Sequence, residues 1–177
     1  MFILIENGQL FDPEPRGRQS VLIANGAIAK IGEVDTRALG RLDVQVERID
    51  ASGCVVVPGL IDPHAHLLGG SGEGSLALQT PMMFIHEIAG AGVTTVVGTL
   101  GVDTTMKTIA GLLARVKALD EMGLTACMWT GGYNVPPTTV MRSIREDMMY
   151  IDEIVGAGEV AISDKRSLQQ STEKLAE

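Results

Sequence analysis

The chain has 177 residues, 45% hydrophobic and only 3% aromatic, so it can bury a sizeable core built from Ala, Val, Ile, Leu and Met. Its formal net charge is −8 and no run of Lys or Arg breaks the scattered acids, which argues against nucleic acid or an anionic membrane surface as a partner. Cys54 and Cys127 form no CxxC pair, MFILIENGQL lacks a basic leader, and no apolar run reaches the roughly 18 residues of a membrane span; together these predict a cytoplasmic protein with two buried, inert thiols.

Residues 1–57 carry strand signals in MFILIENGQL, SVLIANGAIAKIG and VERIDASGCVVV. Asn25-Gly26 between apolar stretches is favoured chemistry for a two-residue hairpin, so a small antiparallel β module is expected. From Pro58 the pattern changes to strands alternating with helices. GLIDPHAH is the first strand, followed by a helix opened by Thr80-Pro81 and closed near Gly90 and Gly92. VTTVVGTL, 93–100, reads as a buried strand, and 104–122 as an amphipathic helix with Met106, Ile109, Leu112, Leu113, Val116 and Leu119 at spacings of three and four. LTACMWT, 124–130, is the third strand; SIRE, 143–146, opens the third helix with a capping box. EVAIS, 159–163, is the expected fourth strand, and SLQQ, 167–170, caps a helix that runs to Glu177 without a stop signal, so the chain reads as ending in mid-element.

Four β-α units in succession require a parallel sheet, either open and doubly wound or the first half of an eightfold barrel. A complete barrel takes about 250 residues.

His64 and His66 stand one residue apart at the C-terminal end of the first of these strands, where ligands gather in both architectures. Side chains alternate across a strand, so the two imidazoles share a face with α carbons roughly 6.6 Å apart and can converge on one metal ion. The plain alternative is a pair of hydrogen-bonded loop histidines. A hydrolytic zinc site takes three protein ligands and an open position, so a further ligand is expected from another strand end. His86 lies within a helix and reads as a packing or surface residue, and Met82, Met83, Met148 and Met149 as core filling.

PGLIDPHAH resembles the metal-binding opening of the amidohydrolase superfamily. HLLGGSGEG, VTTVVGTLGVDT, TGGYNVP and AISDKRS together resemble the isoaspartyl dipeptidases (β-aspartyl peptidases) within it, over nearly the whole chain. The resemblance implies an α/β fold, the N-terminal half of a metal-dependent (β/α)8 TIM barrel at 58–177, preceded by a small β-sandwich module at 1–57. It implies one or two Zn2+ ions, a β-aspartyl dipeptide as substrate, and hydrolysis of its peptide bond by a metal-activated hydroxide. His64 and His66 match ligands of the more buried metal.

Glu73 matches the acid that meets the substrate's α-ammonium group, or else is a solvated loop residue. Tyr133 matches the tyrosine that polarises the scissile carbonyl; its alternative is packing against Pro136 and Pro137. Arg166 matches the arginine that holds a substrate carboxylate, against an ion pair with Asp164 or Glu173. The family's bridging carbamylated lysine is replaced by Glu159, whose carboxyl has roughly 3 to 4 Å less reach. Lys165 is the fallback bridge.

Two further histidines and a proton-shuttling aspartate belong to later strands of that family, so the isolated chain is not expected to be a competent catalyst. A half-barrel exposes sheet edges and apolar interior, which favours a homo-oligomer or a complementary C-terminal half as partner. Two rival readings follow: an inactive truncated module that needs such a half, and an amidohydrolase for an N-acyl amino acid or a cyclic amide.

Overall fold

The computed structural model describes residues 1–177 except Leu42, Gly72, Glu73, Leu76, Gln169 and Glu177. The chain divides into two compact units, Met1–Pro58 and Gly59–Glu177. In the first, β1 (Phe2–Asp12), β2 (Glu14–Ala24) and β3 (Ala27–Gly32) form two antiparallel hairpins. Asn25 and Gly26 turn the second with φ of 51° and 78°, the left-handed pair that a two-residue turn demands. A short helix, α1 (Thr36–Arg41), then leads to β4 (Val46–Asp50) and β5 (Val55–Val56), which both join β1 in parallel and complete the order β3-β2-β1-β4 with β5 beside β1. The run at 46–57 splits because Asp50 Oδ1 accepts from Ser52 N, Ser52 Oγ and Asn7 Nδ2, closing a turn before the second half can extend.

The second unit is a four-stranded parallel sheet, β6 (Leu60–Ala65), β7 (Val93–Gly98), β8 (Thr125–Thr130) and β9 (Ile154–Ala157), in the order β6-β7-β8-β9. Spatial order follows sequence order without the reversal that marks a doubly wound sheet, so this is the barrel arrangement. Helices α2 (Ile85–Gly90), α3 (Ile109–Glu121) and α4 (Ile144–Tyr150) link successive strands, and α5 (Thr172–Ala176) follows β9. Ala65, Val96, Ala126, Met128 and Ile154 from the strands meet Leu112, Val116 and Leu119 of α3 in the core. The opposite faces of the strands carry the site.

Several boundaries differ from expectation, each because a polar side chain is otherwise engaged. Thr80 does not open a helix. Its Oγ1 and N–H bond to Gly70 and close the glycine loop, and α2 starts only after Phe84, whose N–H donates to Glu87. Asp103 captures the N–H groups of Thr105 and Met106, so α3 begins only after Thr108, whose Oγ1 accepts from Gly111 N, and Met106 is exposed instead of joining the apolar face. Ser143 caps α4 by accepting from Glu146 N, while Glu146 reaches back one residue further than a capping box, to Arg142 N.

The fourth strand is Ile154–Ala157 rather than 159–163. Ile154 follows α4 closely enough to take the place beside Met128, leaving Val160 and Ile162 exposed beyond the ladder. Ser167 turns back onto Asp164, and Ser171 caps α5 instead. Cys54 is exposed and Cys127 half-buried, contrary to the expected burial of both. Of the four methionines assigned to the core, Met83 packs against it, whereas Met82, Met148 and Met149 are exposed.

Leu112 is fully buried between α3 and the sheet. Leu112→Ala is expected to lower the unfolding free energy by about 2–5 kcal/mol through lost transfer energy and the cavity left behind; urea unfolding followed by circular dichroism measures it.

Candidate metal and substrate site

On β6 the pleat sends Ala65 and, just past the strand, Leu67 into the core, and therefore His64 and His66 to the opposite face. Thr99 lies one residue beyond β7, Tyr133 three beyond β8 and Glu159 two beyond β9. All four stations sit at the C-terminal edge of the sheet. Ligand atoms of His64, His66 and Glu159 lie within 4.8 Å of one another, with His64 Nε2 3.3 Å from Glu159 Oε2. The imidazole rings are 5.4 Å apart.

Local bonds hold each member. Asp62 Oδ1 accepts from His64 N, and Thr99 Oγ1 donates to Glu159 Oε2 at 3.0 Å. His66 is seated against the backbone of Gly101, where φ is +78° and an added Cβ would lie 2.6 Å from His66 Cε1. Trp129 Nε1 donates to Pro63 O, joining β8 to β6 across this face. Burial pushes the His66 pKa below the ordinary imidazole value, with His64 and Lys107 adding to the fall and Glu159 opposing it. A neutral imidazole has a lone pair to give a cation. Two imidazoles and a carboxylate are donors that Zn2+ accepts, so the chemistry of this set fits such an ion.

Beside His66 opens a cavity of about 500 Å3, lined also by Tyr133 and Arg166 and, on its other side, by Ser71, Gln79 and Asp103. Arg166 is held in a fork: Nε donates to Asp164 Oδ1 at 2.9 Å and Nη2 to Asp164 Oδ2 at 2.7 Å. Its guanidinium lies 5.6 Å from the centre of the Tyr133 ring, and Nη2 reaches Tyr133 Oη at 3.4 Å. Both the Asp164 pair and a cavity-facing position therefore hold for Arg166 together.

Of the residues singled out from sequence, His64, His66 and Glu159 form one group, and His66, Tyr133 and Arg166 line one cavity. Glu73 lies outside the described residues. Lys165 is exposed on the loop between Asp164 and Arg166, while His86 is exposed on α2 and stacks on Phe84. Thr99, Asp103 and Asp147 were not anticipated. Asp147 is fully buried and accepts from Thr130 Oγ1 and from the N–H groups of Val140 and Met141, anchoring the loop that carries Tyr133. Position just past a strand end was the available signal for Thr99; the two aspartates carried none, because their partners are distant or are backbone groups.

Asp103 is 2% exposed and accepts from Ser71 Oγ at 2.8 Å, Met106 N at 2.8 Å, Thr105 N at 3.1 Å and Gln79 Nε2 at 3.5 Å. Burial pushes its carboxyl up, but the donors, led by Met106 N and Ser71 Oγ, outweigh this and hold it below the ordinary value of 3.8. A depressed folded-state pKa contributes stability above the unfolded value, and that contribution is lost as pH falls through the folded value. Asp103→Asn is therefore expected to cost about 1–3 kcal/mol near pH 6, with the gap to wild type narrowing below about pH 3.8, in urea unfolding at both pH values.

No protein-family model matches the chain. Among curated proteins it is 44% identical over 70 residues to a dihydroorotase of Syntrophotalea carbinolica, covering 38% of this chain and 15% of the relative. It is 29% identical over 134 residues to an imidazolonepropionase of Myxococcus xanthus, covering 74% and 32%. A crystal structure of β-aspartyl dipeptidase from Fervidobacterium islandicum AW-1 matches with a TM-score of 0.92 and 40% identity, over 99% of this chain and 47% of that one. A second structure of that enzyme, in complex with a β-Asp-Leu dipeptide, matches at 0.91 and 40%, over 99% and 45%. The chain thus spans about half the length of these solved structures and a third or less of the two curated relatives. By fold and sequence together, the chain resembles β-aspartyl dipeptidase along almost its entire length, and the proteins it matches are of the amidohydrolase superfamily.

Proposed function

We propose that this chain supplies the first part of a metal-dependent hydrolase that cleaves the C–N bond of β-aspartyl dipeptides. The observation that carries the reading is the junction of a His64-His66-Glu159 donor set with a cavity that also presents Tyr133 and Arg166. One of the matched β-aspartyl dipeptidase structures holds a β-Asp-Leu dipeptide, which supports a substrate of that class.

In this reading His64, His66 and Glu159 hold one or two Zn2+ ions. Zinc at this place supplies a Lewis acid and lowers the pKa of a coordinated water toward neutrality. Thr99, by donating to Glu159 Oε2, would steady the carboxylate that helps hold the ion. Tyr133 Oη donates to the carbonyl oxygen of the scissile bond as negative charge develops there. Arg166, a planar fork of donors, meets the substrate's terminal carboxylate, and Glu73 meets its α-ammonium group. Water adds to the carbonyl carbon, the C–N bond breaks, and the leaving amine takes a proton; the resemblance assigns that proton's carrier to a strand beyond this chain.

The sheet also bears on assembly. Leu60 and Ile61 on edge strand β6 are 56% and 66% exposed, and Val155 on edge strand β9 is 47% exposed. Apolar side chains on open parallel edges need cover. The active form in this reading closes those edges with further barrel units, on the same polypeptide or a separate one.

The test is hydrolysis of β-Asp-Leu by the native gene product, with and without chelator. Chelation and His64→Ala are each expected to lower kcat/KM at least about a hundredfold, with zinc restoring the chelated enzyme. Unaltered activity after complete metal removal would sink the metal assignment. For substrate class, Glu73→Gln is expected to weaken β-Asp-Leu by about tenfold more than its N-acetylated form. Equal losses would instead favour an N-acyl amino acid or cyclic amide.

A further inference from the structure

We infer that Asp164 is a positioning residue for substrate recognition, fixing the Arg166 guanidinium over the Tyr133 ring at the wall of the 500 Å3 cavity. The inference rests on the reading of Arg166 as the partner of a substrate carboxylate, and extends it to a residue that itself touches no substrate.

Three bonds define the arrangement. Asp164 Oδ1 accepts from Arg166 Nε at 2.9 Å and from the Arg166 backbone N–H at 2.8 Å, and Oδ2 accepts from Nη2 at 2.7 Å. A single carboxylate thereby grips both the side chain and the main chain of Arg166, fixing the plane of the guanidinium as well as its origin. Two parallel N–H···O bonds to one carboxylate define direction in a way a point contact cannot. Held so, the plane lies 5.6 Å from the Tyr133 ring centre, within range for stacking on a π face, and Nη2 stands 3.4 Å from Tyr133 Oη.

The loop bearing this pair is itself fastened to the loop bearing Tyr133. Asn134 Oδ1 accepts from Leu168 N at 2.8 Å, and Ala161 N donates to Tyr133 O at 3.1 Å. The side-chain bond from Arg166, then its backbone N–H, hold the Asp164 carboxyl down at about 2, so it is a carboxylate throughout the range in which a dipeptidase works. An arginine free to sample its rotamers gives up entropy on meeting a substrate; one fixed beforehand gives up less.

An ion pair serving only the fold would affect all substrates alike, and this gives the test. Using the native gene product, kcat and KM are measured for β-Asp-Leu and for its C-terminal amide with wild type, Asp164→Asn and Asp164→Glu. Asp164→Asn is expected to raise KM for β-Asp-Leu about tenfold while changing kcat/KM for the amide less than about twofold. Asp164→Glu, which keeps the charge, is expected to recover most of the loss for β-Asp-Leu. Equal losses on both substrates, or none on either, would overturn the inference while leaving the hydrolase reading intact. Absence of hydrolysis by wild type would overturn both. Should Asp164→Asn fail to fold, Asp164→Ala decides on the same comparison: a KM rise confined to the carboxylate substrate upholds the role, and an equal change in both, or none in either, removes it.

Discussion

The parallel ladder from β6 to β9 is the constraint on which the site depends. Parallel strands present all their C-terminal ends at one edge, so residues nearly a hundred positions apart arrive together without a contact between their own elements. His66, Thr99, Tyr133 and Glu159 each stand within three residues of the end of a different strand. The pleat then decides which of them face the core and which the site. Ala65 and Leu67 turn to the helices; His64 and His66 turn away. A slip of one residue in β6 would exchange these roles at once, placing two imidazoles in an apolar core.

Strand ends deliver residues to an edge but do not fix the loops that leave it. In this chain that task falls to carboxylates. Asp103 gathers Ser71, Gln79 and the turn at 105–106, Asp147 gathers Thr130 and the turn at 140–141, and Asp164 grips Arg166. A carboxylate suits the purpose because it accepts several bonds at once, each strengthened by its charge, where an amide or hydroxyl would satisfy fewer N–H groups. Burial of Asp103 and Asp147 is tolerated because the donors around them replace water.

This division explains what could be read from the residues beforehand. Strand and helix alternation after Pro58, the Asn25-Gly26 hairpin and the convergence of His64 with His66 rest on local periodicity and spacing, which a sequence displays directly. The late start of α3 was hidden because Asp103 takes N–H groups that would otherwise enter the first turn, and its other partners lie on a loop some thirty residues earlier. The fourth strand was misplaced for a different reason. EVAIS alternates as convincingly as a strand should, but Ile154–Ala157 comes first after α4 and occupies the ladder beside β8. Once those hydrogen bonds are made, Val160 and Ile162 have no edge to join there. Arg166 posed a false choice, since pairing with Asp164 and facing a cavity turned out to be compatible.

Glu159 lies just past the end of that strand. With β9 ending at Ala157, it belongs to the loop, where the main chain is released from the ladder. Its carboxylate then stands 3.3 Å from His64 Nε2 and is steadied from β7 by Thr99. The hydroxyl at Thr99 thus restricts the rotamers that a loop glutamate would otherwise sample.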